Sequence, residues 1–461
     1  MNRIIALIMA LALAVSLVGC TSNVDADQSS GASSKGMTSS AVSSQSASSQ
    51  SGSSQSVAAV TLNTKDGAEF CLVPEGVVQY LENAKNYDLN DFTSSVAKTY
   101  MKNGMRPEPV KLSWKFDDNY TFSDTKVLVA RSEDMSDAVE YPTDINTIDI
   151  YNLMTGTTYY WCVKTKTDKG EFSTDVRSFK TLETPRLIWL SGTANVRDIG
   201  GWKDKDGNAM IQGLAFRGKP LSELDSVGVE QAKALGIRTQ FDLRSAEDHS
   251  KEQVNGVGKL GPDVKLVNVA AKSYYDFISA TITARELRTF ADWSNYPIYF
   301  HCAAGADRTG SIAYVLEGLC GVEDISLIMD YELTVYRDRT YNGFPEFVQA
   351  TRKMKGDTMQ EKLYNHIHKR LGLTHMELSN IYNIFMTESA VFDSNSLSSG
   401  KREAYGVSFD LVLRKSGGVS SVKVNGADVQ WSMKGNTLTV MSDAGEGVIL
   451  LKDGAELKFS L

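Results

Sequence analysis

The sequence is poor in the residues that build metal centres, disulfide frameworks and nucleic-acid-binding surfaces. Its 461 residues include five cysteines and five histidines, and their spacing matches neither a zinc site nor a disulfide framework. Acidic residues outnumber basic ones by 56 to 48, for a formal net charge of −8. Because phosphate-backbone binding needs clustered positive charge, we expect no nucleic-acid partner. We likewise expect no metal and no cofactor.

The first twenty residues have the features of an export signal. A positive start at Arg3 precedes an apolar run from Ile4 to Val18, shorter than the about 20 residues that span a bilayer. Leu17 to Cys20 resembles a bacterial lipobox, which implies cleavage before Cys20 and lipidation of its thiol. The alternative is an ordinary secretory signal with a chance cysteine. Both predict export, and the lipobox predicts a lipid anchor on the outer face of the bacterial cell membrane.

Residues 21–57 are rich in serine, glutamine, alanine and glycine and have almost no large apolar side chains. Such a segment cannot bury enough surface to offset its conformational entropy. We therefore predict a disordered linker that follows the signal peptide at 1–20. Behind a lipidated cysteine, this linker would hold the folded part of the protein away from the membrane.

Short strand-forming runs separated by turn residues dominate residues 58–184. Seven or so strands of this kind predict an antiparallel β-sandwich. The segment resembles a fibronectin type III module at Trp114, Leu153, Gly156, Thr157 and Tyr159. The resemblance implies a tyrosine corner at Tyr159 and a core position for Trp114. A helical stretch from Gly76 to about Gly104 departs from that family and is interpreted as an insertion.

Residues 185–390 alternate strands with amphipathic helices, which predicts an α/β domain with a central sheet flanked by helices. Its buried strand from Pro297 to Phe300 and its helix from Asp307 to Leu319 stand close in sequence. A polar stretch from Ser394 to Gly400 is interpreted as a linker. Residues 401–461 return to a strand pattern with turn signals. The chain is therefore predicted to be multidomain, with a β-sandwich, an α/β domain and a small β domain in that order.

The segment from His301 to Gly310, between that strand and that helix, has the composition of a phosphate-monoester cleavage site. Five residues separate Cys302 from Arg308, so the N–H groups of the loop can converge on one phosphate dianion. Gly305 permits a positive φ or a close approach of the backbone. The helix N-terminus adds positive partial charge. Together with Arg308, this field favours the nucleophilic thiolate of Cys302.

The remaining residues of the segment complete the predicted phosphate site. Arg308 can hold two phosphate oxygens and stabilise the charge of the transition state, and Thr309 can donate a hydrogen bond to the sulfur. The predicted phosphate-binding residues are Ala303, Ala304, Gly305, Ala306, Arg308 and Thr309. A bare Cys-x5-Arg is a weak motif. With the flanking His, Gly and Thr-Gly, a chance match is rarer than about one in ten thousand.

His-Cys-x-x-Gly-x-Asp-Arg-Thr-Gly at 301–310 resembles the signature of a bacterial family of tyrosine, dual-specificity and lipid phosphatases. Further matches occur in family order at Asn195 to Gly201, Phe216 to Gly218, Asp242 to Ser245, and Asp330 to Tyr331. The resemblance covers about Arg186 to Glu388. Val196 stands where the family usually has Phe, and Ala306 where many members have Lys. That lysine is linked to handling highly phosphorylated lipids, so its absence weighs against a phosphoinositide preference.

The leaving oxygen needs a proton. An acid positioned to donate this proton raises the rate by about 10²–10⁴-fold. The resemblance makes Asp307 the leading general acid, with Asp198 and Asp242 as alternatives. Arg197 and Arg217 either line the pocket or form structural salt bridges. Supporting roles are predicted for His301, Arg197, Asp198 and Asp242.

The leading hypothesis is hydrolysis of phosphate monoesters through a cysteinyl-phosphate, on phosphotyrosine, several phosphoamino acids or a small phosphomonoester. Inositol phosphates or phosphoinositides are the alternative with the same chemistry. The alternative of another class is a surface-adhesion protein whose phosphatase fold is catalytically silent. Silent relatives often lose the cysteine or the arginine, whereas Cys302 and Arg308 are both present here, which weighs against this alternative. A thiol-redox function is disfavoured because no second cysteine lies in the loop.

Overall fold

The structure is a computed structural model. It describes residues 59–94, 96–101, 106–271, 281–334, 339–341, 343–415 and 418–461. The predicted signal peptide, Cys20 and the linker at 21–57 lie outside these residues and stay predictions. In the described ranges, no helix is both long and apolar enough to cross a bilayer.

The N-terminal unit is a sandwich of two β-sheets. Its strands are β1 (Val60–Leu62), β2 (Ala68–Phe70), β3 (Val110–Phe116), β4 (Phe122–Ala130), β5 (Val139–Pro142), β6 (Thr147–Ile150), β7 (Thr158–Thr167), β8 (Gly170–Ser173) and β9 (Arg177–Thr181). Helices α1 (Glu75–Ala84) and α2 (Ala97–Tyr100) interrupt them. One sheet has the order β1-β3-β6, and the other has β2-β9-β7-β4-β5 with β8 on β7. The pairing is antiparallel except between β2 and β9.

The core of this sandwich contains the aromatic residues that the sequence singled out. Trp114 is fully buried, and the Tyr159 hydroxyl accepts a hydrogen bond of 2.9 Å from the N–H of Met154. A tyrosine that bonds back to the backbone five residues upstream is the contact that a tyrosine corner makes. Membership of the fibronectin type III family stays a prediction.

The central α/β unit has a five-stranded sheet with helices packed around it. Its strands are β10 (Arg197–Asp198), β11 (Ala215–Gly218), β12 (Thr239–Asp242), β13 (Gln253–Val254), β14 (Val257–Gly258), β15 (Lys265–Asn268) and β16 (Ile298–His301). Its helices are α3 (Ser226–Ala234), α4 (Ala246–Ser250), α5 (Thr281–Ala291), α6 (Asp307–Leu319), α7 (Asp324–Glu332), α8 (Phe344–Arg352), α9 (Met359–His366) and α10 (His375–Met386). A 3₁₀ turn spans Trp293–Asn295, and a π-helical turn spans Ile367–Leu371. The sheet order is β10-β11-β16-β12-β15, while β13 and β14 form a separate hairpin.

The middle strand of this sheet, β16, leads directly into Cys302. All four residues of β16 are fully buried, as expected for an apolar strand covered on both faces. β16 runs parallel to β11 and β12, and its last residue, His301, pairs with Gly218 on one side and Asp242 on the other. The carboxyl ends of parallel strands form the usual ligand-binding edge of an open α/β sheet. Three of the sequence motifs therefore meet at one edge.

Two glycines let the chain after β16 pass close to β11. Gly305 has φ +66°, and a Cβ there would lie 2.4 Å from the Gly218 carbonyl oxygen. A Cβ on Gly218 would lie 2.3 Å from the Tyr299 hydroxyl oxygen. Both distances are far below van der Waals contact, so a side chain at Gly305 would require the backbone to move and one at Gly218 would require Tyr299 to move. This close approach sets the position of the residues that follow Cys302.

The C-terminal unit is a second β-sandwich. Its strands are β17 (Val391–Phe392), β18 (Lys401–Glu403), β19 (Gly406–Val412), β20 (Val419–Val424), β21 (Ala427–Asp428), β22 (Trp431–Lys434), β23 (Thr437–Val440), β24 (Glu446–Leu451) and β25 (Glu456–Ser460), with a 3₁₀ turn at Ser394–Ser396. One sheet has the order β17-β19-β23-β22 with β18 on β19, and the other has β21-β20-β24-β25. Because β17 pairs with β19 and Leu397 is buried, the predicted linker is part of the fold and the unit starts before 401. The Asn380 amide of α10 donates to Ala291 (3.0 Å) and Phe392 (2.8 Å), which fixes this unit to the α/β unit.

The collision at Gly305 predicts a selective loss of stability. Gly305→Ala and the control Gly207→Ala both place alanine at a positive φ, +66° and +85°, which costs about 1–2 kcal/mol in the left-handed region. Gly207 has no neighbouring atom within 4 Å of the added Cβ. We therefore expect Gly305→Ala to lower the thermal midpoint at least about twice as far as Gly207→Ala. Equal losses would contradict the close approach to Gly218.

Candidate active site

Cys302 and Arg308 stand at the two ends of a short loop, the 302–308 loop, that joins β16 to α6. Cys302 is 3% exposed, and Arg308 is half-buried in the first turn of α6. In the described part of the chain, the one hydrogen bond of the Arg308 side chain is a 3.5 Å contact from Nη1 to the Leu243 carbonyl. That distance is beyond the usual range, so the guanidinium is available to a stronger partner.

In the middle of this loop, the main-chain N–H groups of residues 303–306 have no acceptor among the described residues. The first N–H groups of α6 follow directly, and a helix N-terminus leaves these groups without intrahelical acceptors. Consecutive free N–H groups at the positive end of a helix form a favourable site for an anion.

The carbonyl groups of the same loop are held from outside, which fixes the direction of the N–H groups. The Asn195 amide donates to the Ala304 carbonyl at 2.9 Å. Arg217 Nη2 donates to the carbonyls of Gly305 (3.1 Å) and Ala306 (3.3 Å). In a planar trans peptide the C=O and the following N–H point in opposite directions. The N–H groups of residues 305–307 therefore point away from Asn195 and Arg217.

Arg217 is itself held by a buried ionic network. Its Nη1 donates to the Asp330 carboxylate, and Arg197 donates from Nε to Asp330 Oδ1 at 2.8 Å and from Nη2 to the Asp330 carbonyl at 2.7 Å. Arg197, Arg217 and Asp330 are each at most 1% exposed. The arginines thus form structural salt bridges, which was one of their two predicted roles, and do not line the pocket. The sequence had given Asp330 no role.

This network leaves positive charge behind the loop. Burial raises the pKa of Asp330, but the neighbouring Arg197 and Arg217 outweigh burial and hold the pKa below its usual value. Burial and the Asp330 charge raise the pKa of the adjacent Glu317 well above its usual value. Two guanidinium groups and one carboxylate leave a net charge of about +1, since arginine stays protonated. This charge favours an anion at the loop.

His301 is held rigidly beside Cys302. It is fully buried, its Nε2 lies 3.0 Å from the Gln240 side-chain nitrogen, and its Nδ1 lies 3.8 Å from Asp242 Oδ1. Burial lowers the pKa of His301, so the imidazole is neutral and its Nε2 accepts from the Gln240 amide. This placement fits a supporting role better than a proton-transfer role.

Two of the three candidate acids are committed to structural bonds. Asp198 is 1% exposed and accepts from Arg186 Nη1 (2.9 Å) and the Gly200 N–H (2.8 Å). Asp242 is fully buried and accepts from Arg244 Nε (3.0 Å) and Nη2 (2.8 Å). Burial raises the pKa of Asp242, but the hydrogen bonds and the charge of Arg244 outweigh burial and lower it. Neither carboxylate can reach a leaving oxygen while these bonds persist.

Asp307 is the remaining candidate, and it lies within the 302–308 loop. Its side chain is half-buried in the first turn of α6. The Tyr331 hydroxyl donates to Asp307 Oδ1 at 3.2 Å. Of the three carboxyl groups proposed from the sequence, it is the one that is both next to Arg308 and partly accessible.

The predicted bond from Thr309 to the sulfur is not formed. Thr309 is fully buried, and its hydroxyl has no hydrogen-bond partner among the described residues. Ala303 is exposed, whereas Gly305 and Ala306 are buried against β11.

In the same described residues no group of three or more His, Cys, Asp or Glu side chains is arranged to hold a metal.

Comparison with known proteins agrees with these motifs. A profile of the tyrosine phosphatase family matches residues 188–420, just over half of the 461-residue chain. A protein of Cupriavidus necator, provisionally named a tyrosine-protein phosphatase, is 24% identical over 177 residues that cover 32% of this chain and 63% of that protein. The chain therefore spans less than two thirds of the length of this curated relative.

Two solved structures show more distant likenesses. The core catalytic domain of a PP-IP phosphatase from S. cerevisiae, in complex with citrate, has 14% identity and a TM-score of 0.22, covering 32% of this chain and 85% of its own. The twitchin kinase region from C. elegans has 9% identity and a TM-score of 0.15, and the match covers 77% of this chain and 97% of the twitchin chain. At these scores neither likeness supports an inference. The family profile, in contrast, matches more than half of the chain. By that match the chain belongs to the tyrosine phosphatase family.

Proposed function

We propose that this protein hydrolyses phosphate monoesters through a cysteinyl-phosphate intermediate, with phosphotyrosine in proteins as its main substrate and other phosphoamino acids as further ones. One observation carries the proposal. The carbonyls of residues 304–306 are bonded from outside by Asn195 and Arg217, so the loop N–H groups are left for an anion between Cys302 and Arg308. Membership of the tyrosine phosphatase family supports it.

The first chemical step transfers the phosphoryl group to sulfur. The Cys302 thiolate attacks phosphorus, an S–P bond forms, and the bond from phosphorus to the ester oxygen breaks. Asp307 gives its proton to that oxygen, so the alcohol or phenol leaves neutral. The loop N–H groups and the Arg308 guanidinium bind the three non-bridging oxygens, whose charge they stabilise in the transition state.

The second step regenerates the enzyme. A water molecule attacks phosphorus, the S–P bond breaks, and Cys302 leaves as a thiolate. Asp307, now a carboxylate, takes the proton of the water. Inorganic phosphate is released. The net positive charge of Arg197, Arg217 and Asp330 behind the loop, together with the α6 N-terminus, favours both the thiolate and the bound dianion.

The charges around the loop favour a substrate with one phosphate. Arg197 and Arg217 are paired with Asp330, and Arg244 is paired with Asp242 and Glu252. Arg308 differs from these three arginines, because in the described chain its side chain has no carboxylate partner. A multiply phosphorylated inositol needs several free cations, so we keep it as the second candidate substrate.

We further propose, from the sequence alone, that the protein is exported and anchored to the outer face of the cell membrane through a lipid on Cys20. In that setting the substrates would be phosphorylated proteins or small phosphomonoesters outside the cytoplasm. The fibronectin type III assignment of the N-terminal unit belongs to the same proposal.

The covalent mechanism predicts that Cys302→Ser reduces p-nitrophenyl phosphate hydrolysis to background, because the hydroxyl is a far weaker nucleophile than a thiolate. Cys71→Ser is the matched control, since Cys71 is half-buried in the N-terminal unit. We expect this control to keep its turnover and both variants to keep a cooperative thermal transition. Undiminished turnover by folded Cys302→Ser would reject the covalent mechanism.

The acid role of Asp307 predicts a dependence on the leaving group. For Asp307→Asn we expect kcat on phenyl phosphate to fall about 10²-fold or more, because phenoxide needs the proton. With 2,4-dinitrophenyl phosphate, whose leaving group needs little protonation, we expect kcat of the same variant to fall less than about tenfold. Asp428→Asn, at an exposed site in β21, is the control. Equal losses on both esters would move the acid role to another residue.

A further inference from the structure

A helical insertion in the N-terminal unit, described over residues 75–94 and 96–101, packs against α7, the helix whose Asp330 binds Arg217. Its buried residues Val77, Tyr80 and Ala84 share a hydrophobic cluster with Met329 and Leu333. The insertion lies outside the 188–420 span of the family match. We propose that it positions the active site, with Tyr80 acting on the 302–308 loop through α7 and Phe92 acting on Asp307 through Phe344. The proposal rests on the proposed phosphatase function.

The first contact is a buried hydrogen bond at the end of α7. The Tyr80 hydroxyl donates to Glu332 Oε2 at 2.5 Å, and both side chains are fully buried. Arg339 donates to the same carboxylate from Nε and Nη2, each at 2.9 Å. Burial raises the pKa of Tyr80 well above its usual value, so the hydroxyl stays a donor. The position of the Glu332 carboxyl group is therefore fixed in part by the insertion.

The second contact holds the start of α7. Arg352 Nη1 donates to the Leu89 carbonyl of the insertion at 3.0 Å. The same guanidinium donates to Asp324, the first residue of α7, from Nε (2.9 Å) and Nη2 (2.6 Å). The insertion is thus connected to both ends of one helix. This arrangement restrains the helix along its axis.

The restrained helix carries the residue that fixes the 302–308 loop. Asp330 lies two positions before Glu332 in α7 and binds Arg217, which binds the carbonyls of Gly305 and Ala306. The path from Tyr80 to the loop has only buried, hydrogen-bonded groups and the two-residue step from Glu332 to Asp330 in α7. A shift of α7 would therefore change the direction of the loop N–H groups.

The third contact reaches the candidate acid. Phe92 packs edge-on against Phe344, with ring centroids 6.5 Å apart. Phe344 stacks on Tyr331 at 3.8 Å with an interplanar angle of 12°. The Tyr331 hydroxyl donates to Asp307 at 3.2 Å. Phe92 thus contacts the ring pair that orients the Asp307 carboxyl.

The two paths predict different kinetic effects, which a purely structural role would not separate. In the full-length protein, we expect Tyr80→Phe to lower kcat/KM about tenfold on both phenyl phosphate and 2,4-dinitrophenyl phosphate and to weaken inhibition by inorganic phosphate. A misplacement of 1 Å costs up to about 10²-fold. We expect Phe92→Leu to lower kcat about threefold to tenfold on phenyl phosphate and to leave the activated ester unchanged, since it disturbs proton donation.

Matched controls come from the same N-terminal unit, away from the insertion. Tyr120→Phe and Phe122→Leu alter a tyrosine and a phenylalanine that contact each other in the sandwich, and we expect wild-type kinetics. Phe92→Tyr keeps the ring and should restore the phenyl phosphate turnover that Phe92→Leu loses. Thermal midpoints identify any variant that fails to fold; in that case Phe92→Met replaces Phe92→Leu, and Val77→Ala, in the same cluster with Met329 and Leu333, replaces Tyr80→Phe.

The outcomes separate this inference from the proposed function. If the wild type has no activity that Cys302→Ser removes, the proposed function and this inference fail together. If the wild type is active and folded Tyr80→Phe and Phe92→Leu match their controls on both esters and with phosphate, only the positioning role is overturned. Separate effects of the two variants, as predicted, support it.

Discussion

The bonds from Arg217 to the carbonyls of Gly305 and Ala306 are the interaction on which the candidate active site depends. Because the C=O and the following N–H of a trans peptide point in opposite directions, these bonds turn the N–H groups of Ala306 and Asp307 away from Arg217. A buried guanidinium is stable there because Asp330 provides the opposite charge. Loss of Asp330 would leave two buried guanidinium groups, Arg197 and Arg217, without their opposite charge next to the loop.

Local chemistry made the 302–308 loop predictable from the sequence. The proposed nucleophile Cys302, Gly305, the proposed acid Asp307 and Arg308 lie within seven consecutive residues, and a buried strand and a helix flank them. The groups that hold the loop could not be predicted in the same way. Arg217 and Asp330 are 113 residues apart, and Tyr80 and Glu332 are 252 apart. Pairing over such distances depends on the packing of whole units and leaves no local pattern.

Burial decided the questions that residue type had left open. Asp198, Asp242 and Asp307 are chemically equivalent in the sequence, but two of them are enclosed with arginines while Asp307 is partly accessible. The prediction of a linker before residue 401 was wrong for a related reason. Its polar residues flank Leu397, and this side chain is buried in the C-terminal sandwich. The two outer units also differ in placement. The N-terminal one contacts α7, while the C-terminal one packs on α10.

The central claim is that the loop binds a phosphate dianion beside the Cys302 sulfur. A crystal structure of the full-length protein with inorganic phosphate tests it most directly. The account predicts one phosphate ion with oxygens about 2.7–3.2 Å from the N–H groups of the loop and from two nitrogens of Arg308, and with its phosphorus facing Cys302. Phosphate bound elsewhere, or side chains of Cys302 and Arg308 on separate surfaces, would contradict the account.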